Sequence, residues 1–108
     1  MPEKSSIPPF PWSIVLIDDE PDIRDVISIS LKDRGYRVET AADGRTGIAL
    51  CAGKEPQIAI TDIRMPGMNG IQVLKALKES HPDMEVIVMT AFADMDLAVQ
   101  ALQLDASD

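Results

Sequence analysis

Basic residues are scarce in this chain. Ten Lys and Arg stand against eighteen Asp and Glu, a formal net charge of −8. A duplex-binding face needs clustered Lys and Arg, so the chain itself is not expected to contact nucleic acid directly. Cysteine is nearly absent. With Cys51 alone there is no intrachain disulfide and no Cys-based zinc site. Set among Ile48, Ala49, Leu50 and Ala52, this thiol reads as buried and structural rather than redox-active. The single histidine, His81, stands just before Pro82 and reads as a polar helix-end residue rather than a phosphohistidine. No apolar run approaches the ~20 residues needed to span a bilayer. Residues Met1 to Pro11 carry one Lys, four prolines and no apolar core, which is not the pattern of a secretion signal. The expected setting is the cytoplasm, with no membrane partner.

What is present is a regular alternation. With 108 residues the chain forms one domain at most, and 45% hydrophobic content suits a single core. Met1 to Trp12 reads as a flexible Pro-rich arm. Ile14-Val15-Leu16-Ile17 is too short for a buried helix and reads as a buried strand running to Asp18. Pro21 suits the first turn of a helix, with Ile23, Val26, Ile27 and Leu31 at helical spacing and Gly35 as its end. Tyr36 to Thr40 alternates as a short second strand. Asp43 can cap a second helix through about Ala52, weakened by Gly47.

The third strand is Gln57 to Asp62, broken by Pro66-Gly67 and Asn69-Gly70. A third helix follows from Gly70 to about Ser80, with Ile71, Leu74 and Leu77 on one face and Pro82 as its stop. Glu85 to Thr90 reads as a fourth strand, and about Asp94 to Leu104 as a fourth helix. Strands alternating with helices indicate parallel crossovers, hence an α/β, doubly wound parallel sheet. Arg24, Arg34 and Arg45 read as solvated helix charges, and Met65, Met68 and Met89 as packing.

Two strands end on acids: Asp18-Asp19-Glu20 after the first and Asp62 after the third. Two common strand orders compete for such a sheet. In the flavodoxin-like order 2-1-3-4 these strands are neighbours at the switch point, and ligands bind outside their carboxyl ends. Asp18, Asp19 and Asp62 then share one crevice, with Thr90 beside them. Like carboxylates about 4 Å apart repel by roughly 4 kcal/mol at an effective dielectric of about 20. Such a cluster takes up a proton, finds a cation or moves apart. With only hard oxygen donors, Mg²⁺ (or Mn²⁺) is the favoured ion. Its open positions suit phosphoryl oxygens, the Thr90 hydroxyl and the amides around Ala91 could donate to the same group, and an aspartate there can attack phosphorus. The competing explanation is that acids end strands because loops are wet.

Three stretches resemble the receiver domain of two-component response regulators: Val15-Leu16-Ile17-Asp18-Asp19-Glu20, Thr61 to Gly70, and Val88-Met89-Thr90-Ala91. Order and spacing agree from about Ile14 to the end, giving a receiver domain over residues 13–108. The resemblance implies that Asp62 is the phosphoacceptor for a histidine kinase phosphohistidine. It implies that Asp19 binds Mg²⁺ directly, that Asp18 helps through water, and that the Arg64 backbone carbonyl is a further ligand, with the Arg64 side chain tuning hydrolysis. It makes Thr90 the switch hydroxyl and Ala91 its small neighbour, with Pro66 and Gly67 shaping the loop. A surface around the fourth helix, near Phe92, Asp94, Met95 and Asp96, would read the switch out to an output domain or partner.

The family also carries a Lys after a fifth strand, an aromatic switch residue in that strand and a last helix, and no residue here corresponds to them. The chain is therefore expected to be one segment of a longer protein, with an open edge at the fourth strand that invites homodimerisation. The implied partners are a sensor histidine kinase or a phosphotransfer protein. No enzymatic activity is implied beyond the domain's own phosphorylation and dephosphorylation. The alternatives are a phosphorylation-independent binding or dimerisation module, or the receiver segment of a hybrid histidine kinase. A Mg²⁺-dependent phosphohydrolase fits poorly, because Arg64 occupies the place where that chemistry normally has a second acid.

Overall fold

The structure, a computed structural model, describes residues 12–89. Four strands and three helices alternate along them: β1 (Ser13–Ile17), α1 (Pro21–Asp33), β2 (Arg37–Ala41), α2 (Gly44–Lys54), β3 (Ile58–Asp62), α3 (Gly70–Ser80) and β4 (Glu85–Met89). The strands form one parallel sheet in the order β2-β1-β3-β4. Of the two orders open to the sequence, the flavodoxin-like one is therefore found. Among the described residues no fifth strand follows, and β2 and β4 are the edges.

β1 is central because its side chains are apolar on both faces. Successive strand residues point to opposite sides. Val15 and Ile17 join Ala41, Ala59 and Val86 beneath α2 and α3, in a core that also holds Cys51, Met65, Val73, Leu74, Leu77 and Met84. Ile14 and Leu16 lie on the other face and are equally buried. Each fully buried Val, Leu or Ile contributes about 1.5–3 kcal/mol, so this strand anchors the sheet. The third helix is as expected: Leu74 and Leu77 are buried and Ile71 packs beside them, with Val73 an addition that the spacing did not single out. Cys51 is fully buried, and burial pushes its thiol up to about 11, in keeping with an inert structural thiol.

The first helix differs from its sequence reading. Ile23, Val26, Ile27 and Leu31 were expected to face inward, but Val26 is 67% and Ile23 46% exposed. The inward stripe instead runs through Arg24, Ile27, Ser28 and Leu31. Apolar residues are spread around this helix, with Ile29 also exposed, so more than one helical stripe fits the sequence.

β2 is one residue later than expected. Ala41 pairs with Ile17 and is buried, while Tyr36 donates its amide to the Leu31 carbonyl in the preceding turn. α2 runs on to Lys54 and ends on Glu55 in the left-handed region (φ 48°, ψ 59°). Asp43 caps α2 as expected, accepting from the Thr46 amide at 2.8 Å. This bond is the main cause holding the Asp43 carboxyl below its ordinary range. Gly47 has a packing reason: a β-carbon there would lie 2.5 Å from Ile17 Cγ1. His81 is the C-cap of α3, donating its amide to Leu77 O at 2.7 Å. The Pro-rich arm up to Pro11, Thr90, Ala91 and the fourth helix lie outside the described residues.

Candidate functional site

The site is assembled by the register of two neighbouring strands. Ile17 pairs with Thr61, so the residues that follow, Asp18 and Asp62, emerge side by side at the carboxyl ends of β1 and β3. Asp19 comes next on the β1–α1 turn. One carboxylate oxygen from each of Asp18, Asp19 and Asp62 lies within 4.8 Å of the others. The three acids expected to share one crevice are together in the structure.

Asp18 and Asp62 are fixed differently. Asp18 is 1% exposed. Its amide donates to Ala41 O at 3.1 Å, its Oδ1 accepts from the Glu20 amide at 2.9 Å, and its carbonyl accepts from Arg24 Nη1 at 2.7 Å. Asp62 is half-buried, and its Oδ1 accepts from the Ile63 amide at 2.8 Å. Desolvation, then the negative charge of Asp18, and to a smaller degree that of Asp19, raise the Asp62 carboxyl above its ordinary value. The backbone amides of Ile63 and Arg64 pull the other way. A carboxylate raised by a like-charged neighbour is one that gains from a cation. All three donors are hard oxygens, Asp18 buried and Asp19 and Asp62 partly open to solvent, and this set fits a small divalent ion that keeps some of its waters.

The loop after β3 shapes the rest. Ile63 donates back to Met89 O at 3.0 Å and accepts from the Gly70 amide at 2.9 Å, so the chain turns sharply between Asp62 and α3. Asn69 caps α3 through a reciprocal pair with Gln72, at 3.0 and 2.9 Å. Gly67 adopts φ 81°, a conformation glycine takes without strain. A cleft of about 390 Å³ opens between Ile63, Arg64, Met65, Pro66 and Asn69. A larger cavity, about 520 Å³, lies at the opposite end of the strands near Trp12, His81 and Met84, away from the acids. Met65 is buried and Met68 packs against the core, both as packing residues.

The sequence reading missed two residues. Arg24 is not a solvated helix charge: it is half-buried and bonded to Asp18. Gly70 carries no chemistry, yet a β-carbon on it would lie 2.7 Å from Ile63 Cα and would crowd the Asp62 carbonyl. As a sequence signal it reads only as a turn residue after Asn69. The need for glycine comes from the close approach of α3 to the end of β3.

A family model described as the response regulator receiver domain matches residues 14–108. This chain is a receiver domain of the two-component response regulators. It is 42% identical over 93 residues to the DNA-binding transcriptional regulator NtrC of Salmonella typhimurium, covering 86% of this chain and 20% of that protein. It is 38% identical over 95 residues to the regulatory protein AtoC of Escherichia coli, covering 88% of this chain and 21% of that protein. The chain thus spans about a fifth of the length of these relatives. A crystal structure of a response regulator receiver domain protein from Clostridium thermocellum superimposes with a TM-score of 0.84 at 32% identity, over 88% of this chain and 77% of that one. The receiver domain of NtrX from Brucella abortus gives 0.82 at 31% identity, over 88% and 81%. No helix among the described residues is long and apolar enough to cross a membrane.

Proposed function

We propose that Asp62 is the phosphoacceptor of this receiver and that Asp18, Asp19 and Asp62, with the Arg64 backbone carbonyl, hold Mg²⁺ (or Mn²⁺) beside it. The observation that carries this reading is the convergence of the three carboxylates, with Asp62 the exposed-side member and Asp18 the buried one. In the transfer step a carboxylate oxygen of Asp62 forms a bond to phosphorus as the phosphorus–nitrogen bond of a phosphohistidine breaks, and the imidazole leaves. When bound, the ion supplies charge that offsets the crowded carboxylates and the phosphoryl oxygens. The Ile63 amide, already bonded to Asp62 Oδ1, orients the nucleophile. Asp18, immobilised by Glu20 and Arg24, holds one wall of the site. Thr90 is the proposed switch hydroxyl, with Ala91 leaving it room; it follows directly on Met89, the partner of Asp62 in the β3–β4 ladder.

Converting the Asp62 carboxylate to an acyl phosphate adds about one net negative charge and strong acceptors, and a donor drawn toward them would rearrange the fourth-helix surface. The proposed donor is a sensor histidine kinase or phosphotransfer protein in the cytoplasm, and the proposed receiver of the signal is an output domain of the same protein. Two relatives are named as transcriptional regulators or regulatory proteins, which favours a regulator over a hybrid kinase as the parent. DNA binding, if the parent has it, is not a task for this acidic domain. Association of two copies along β4, an edge strand among the described residues, is a separate proposal, read out by sedimentation.

The test is intact-protein mass after incubation with acetyl phosphate, with and without Mg²⁺, alongside Asp62→Asn. A phosphoryl adduct that requires the ion and disappears in the variant is the expected result. An adduct that persists in Asp62→Asn would move the phosphoacceptor elsewhere and defeat the proposal.

A further inference from the structure

We infer that Arg24 is a positioning residue for the metal site, acting on Asp18 through the main chain. This rests on the metal reading of the acidic cluster given above. Three bonds close the turn between β1 and α1. The Glu20 amide donates to Asp18 Oδ1 at 2.9 Å, the Arg24 amide donates to Glu20 O at 2.9 Å, and Arg24 Nη1 donates to Asp18 O at 2.7 Å. The guanidinium thus reaches back six residues, from the second turn of α1 to the residue that lines the site.

Two features set this bond apart from an ordinary surface contact. Glu20, the N-cap of α1, makes no side-chain capping bond. The entry to the helix is held instead by Arg24, which clamps the turn from inside. Moreover, a cation in the first turns of a helix opposes the helix dipole, whose positive end lies there. A solvated arginine would gain nothing from that position. A half-buried one that satisfies the carbonyl of a fully buried aspartate does.

The consequence lies in direction. The Asp18 side chain leaves a backbone fixed on one side by its amide bond to Ala41 O and on the other by Arg24. Releasing the carbonyl frees that peptide plane to rotate, and the Asp18 carboxylate and the Asp19 turn lose their common aim at Asp62. Groups that orient metal ligands from behind typically change metal affinity by about 10–100-fold when removed.

The sign of the effect separates this role from its rivals. A bystander cation repels a divalent ion, so its removal would tighten binding. A helix anchor with no bearing on the site would leave affinity unchanged and lower stability alone. A positioning residue, once removed, weakens binding despite the loss of a repelling charge.

The experiment titrates Mg²⁺ into the wild-type chain, Arg24→Gln and Arg24→Lys, followed by amide chemical shifts. Hydrogen exchange of the Glu20 amide is measured in the metal-free proteins. Arg24→Gln is expected to weaken Mg²⁺ binding by about tenfold or more, and to speed exchange at Glu20. Arg24→Lys, which retains a donor and a charge but not the planar fork, should recover part of both. Unchanged or tighter Mg²⁺ binding in Arg24→Gln overturns the inference. If that variant does not fold, Arg24→Lys decides the matter by the same two readouts, with wild-type values of both counting against it. If even the wild-type chain binds no Mg²⁺, the metal reading fails, and wild-type Glu20 exchange in Arg24→Gln would then refute the positioning role on its own.

Discussion

Replacing Gly70 by alanine adds one methyl group at the point where α3 meets the end of β3. That carbon would stand 2.7 Å from Ile63 Cα and crowd the carbonyl of Asp62. Carbon atoms pack best at about 3.5–4.0 Å, so the approach is too close by roughly an ångström. Both obstacles are backbone, belonging to a buried strand end, and neither can swing aside as a side-chain tip could. Overpacking of this kind costs about 1–3 kcal/mol. Alanine in a helix returns about 0.5–1 kcal/mol relative to glycine. The net expectation is a loss of about 1–2 kcal/mol, or about 4–8 °C in melting temperature for each kcal/mol in a domain of this size. Gly53, also in a helix, has nothing within 4 Å of its would-be β-carbon. Gly53→Ala should therefore leave the melting temperature unchanged or raise it by a few degrees. Thermal unfolding followed by circular dichroism, with a Mg²⁺ titration of each variant, checks both. Gly70→Ala should weaken Mg²⁺ binding by moving Asp62, and Gly53→Ala should not. A Gly70→Ala protein as stable as wild type would refute the claim that α3 and the end of β3 are in closest contact here.

The remaining expectations concern charge and backbone strain. The Asp62 carboxyl is raised above its ordinary value in the folded protein by burial and by Asp18, so the folded state binds its proton more readily than the unfolded chain does. Stability from this group is therefore greatest at acid pH and falls as pH rises from the unfolded value through the folded one. Metal-free Asp62→Asn should be more stable than wild type at neutral pH, with the difference vanishing at acid pH, as equilibrium urea unfolding across pH would reveal. Saturating Mg²⁺ should reverse the order, since an ion held at about 100 times its dissociation constant adds about 2.7 kcal/mol to the protein that binds it. Glu55, exposed and left-handed at φ 48°, holds the C-cap of α2 in a region that glycine occupies freely. Glu55→Gly should stabilise the domain by about 1 kcal/mol, seen as a higher denaturation midpoint, and an unchanged midpoint would mean that the cap carries no strain.

How far the sequence revealed this molecule depends on where each property resides. β1 and β3 were legible because strands buried in a parallel sheet must be short continuous apolar runs, and an acid at the end of such a run has only the carboxyl edge of the sheet to occupy. That made Asp18, Asp19 and Asp62 visible from the chain alone. α1 was less legible because Ile23, Val26, Ile27, Ile29 and Leu31 offer more apolar residues than one face can bury, so periodicity could not choose the stripe. β2 slipped by one residue because its exposed edge position gives Arg37, Glu39 and Thr40 little burial to fix the pattern. Arg24 and Gly70 were hidden for a different reason. Both act on the main chain, one by donating to the Asp18 carbonyl and the other by leaving room against the Asp62 carbonyl. A carbonyl has no letter in the sequence. The acids that would meet the ion and the phosphoryl group are written in residue types, whereas the aim of those acids is set by backbone contacts that only the folded chain brings into being.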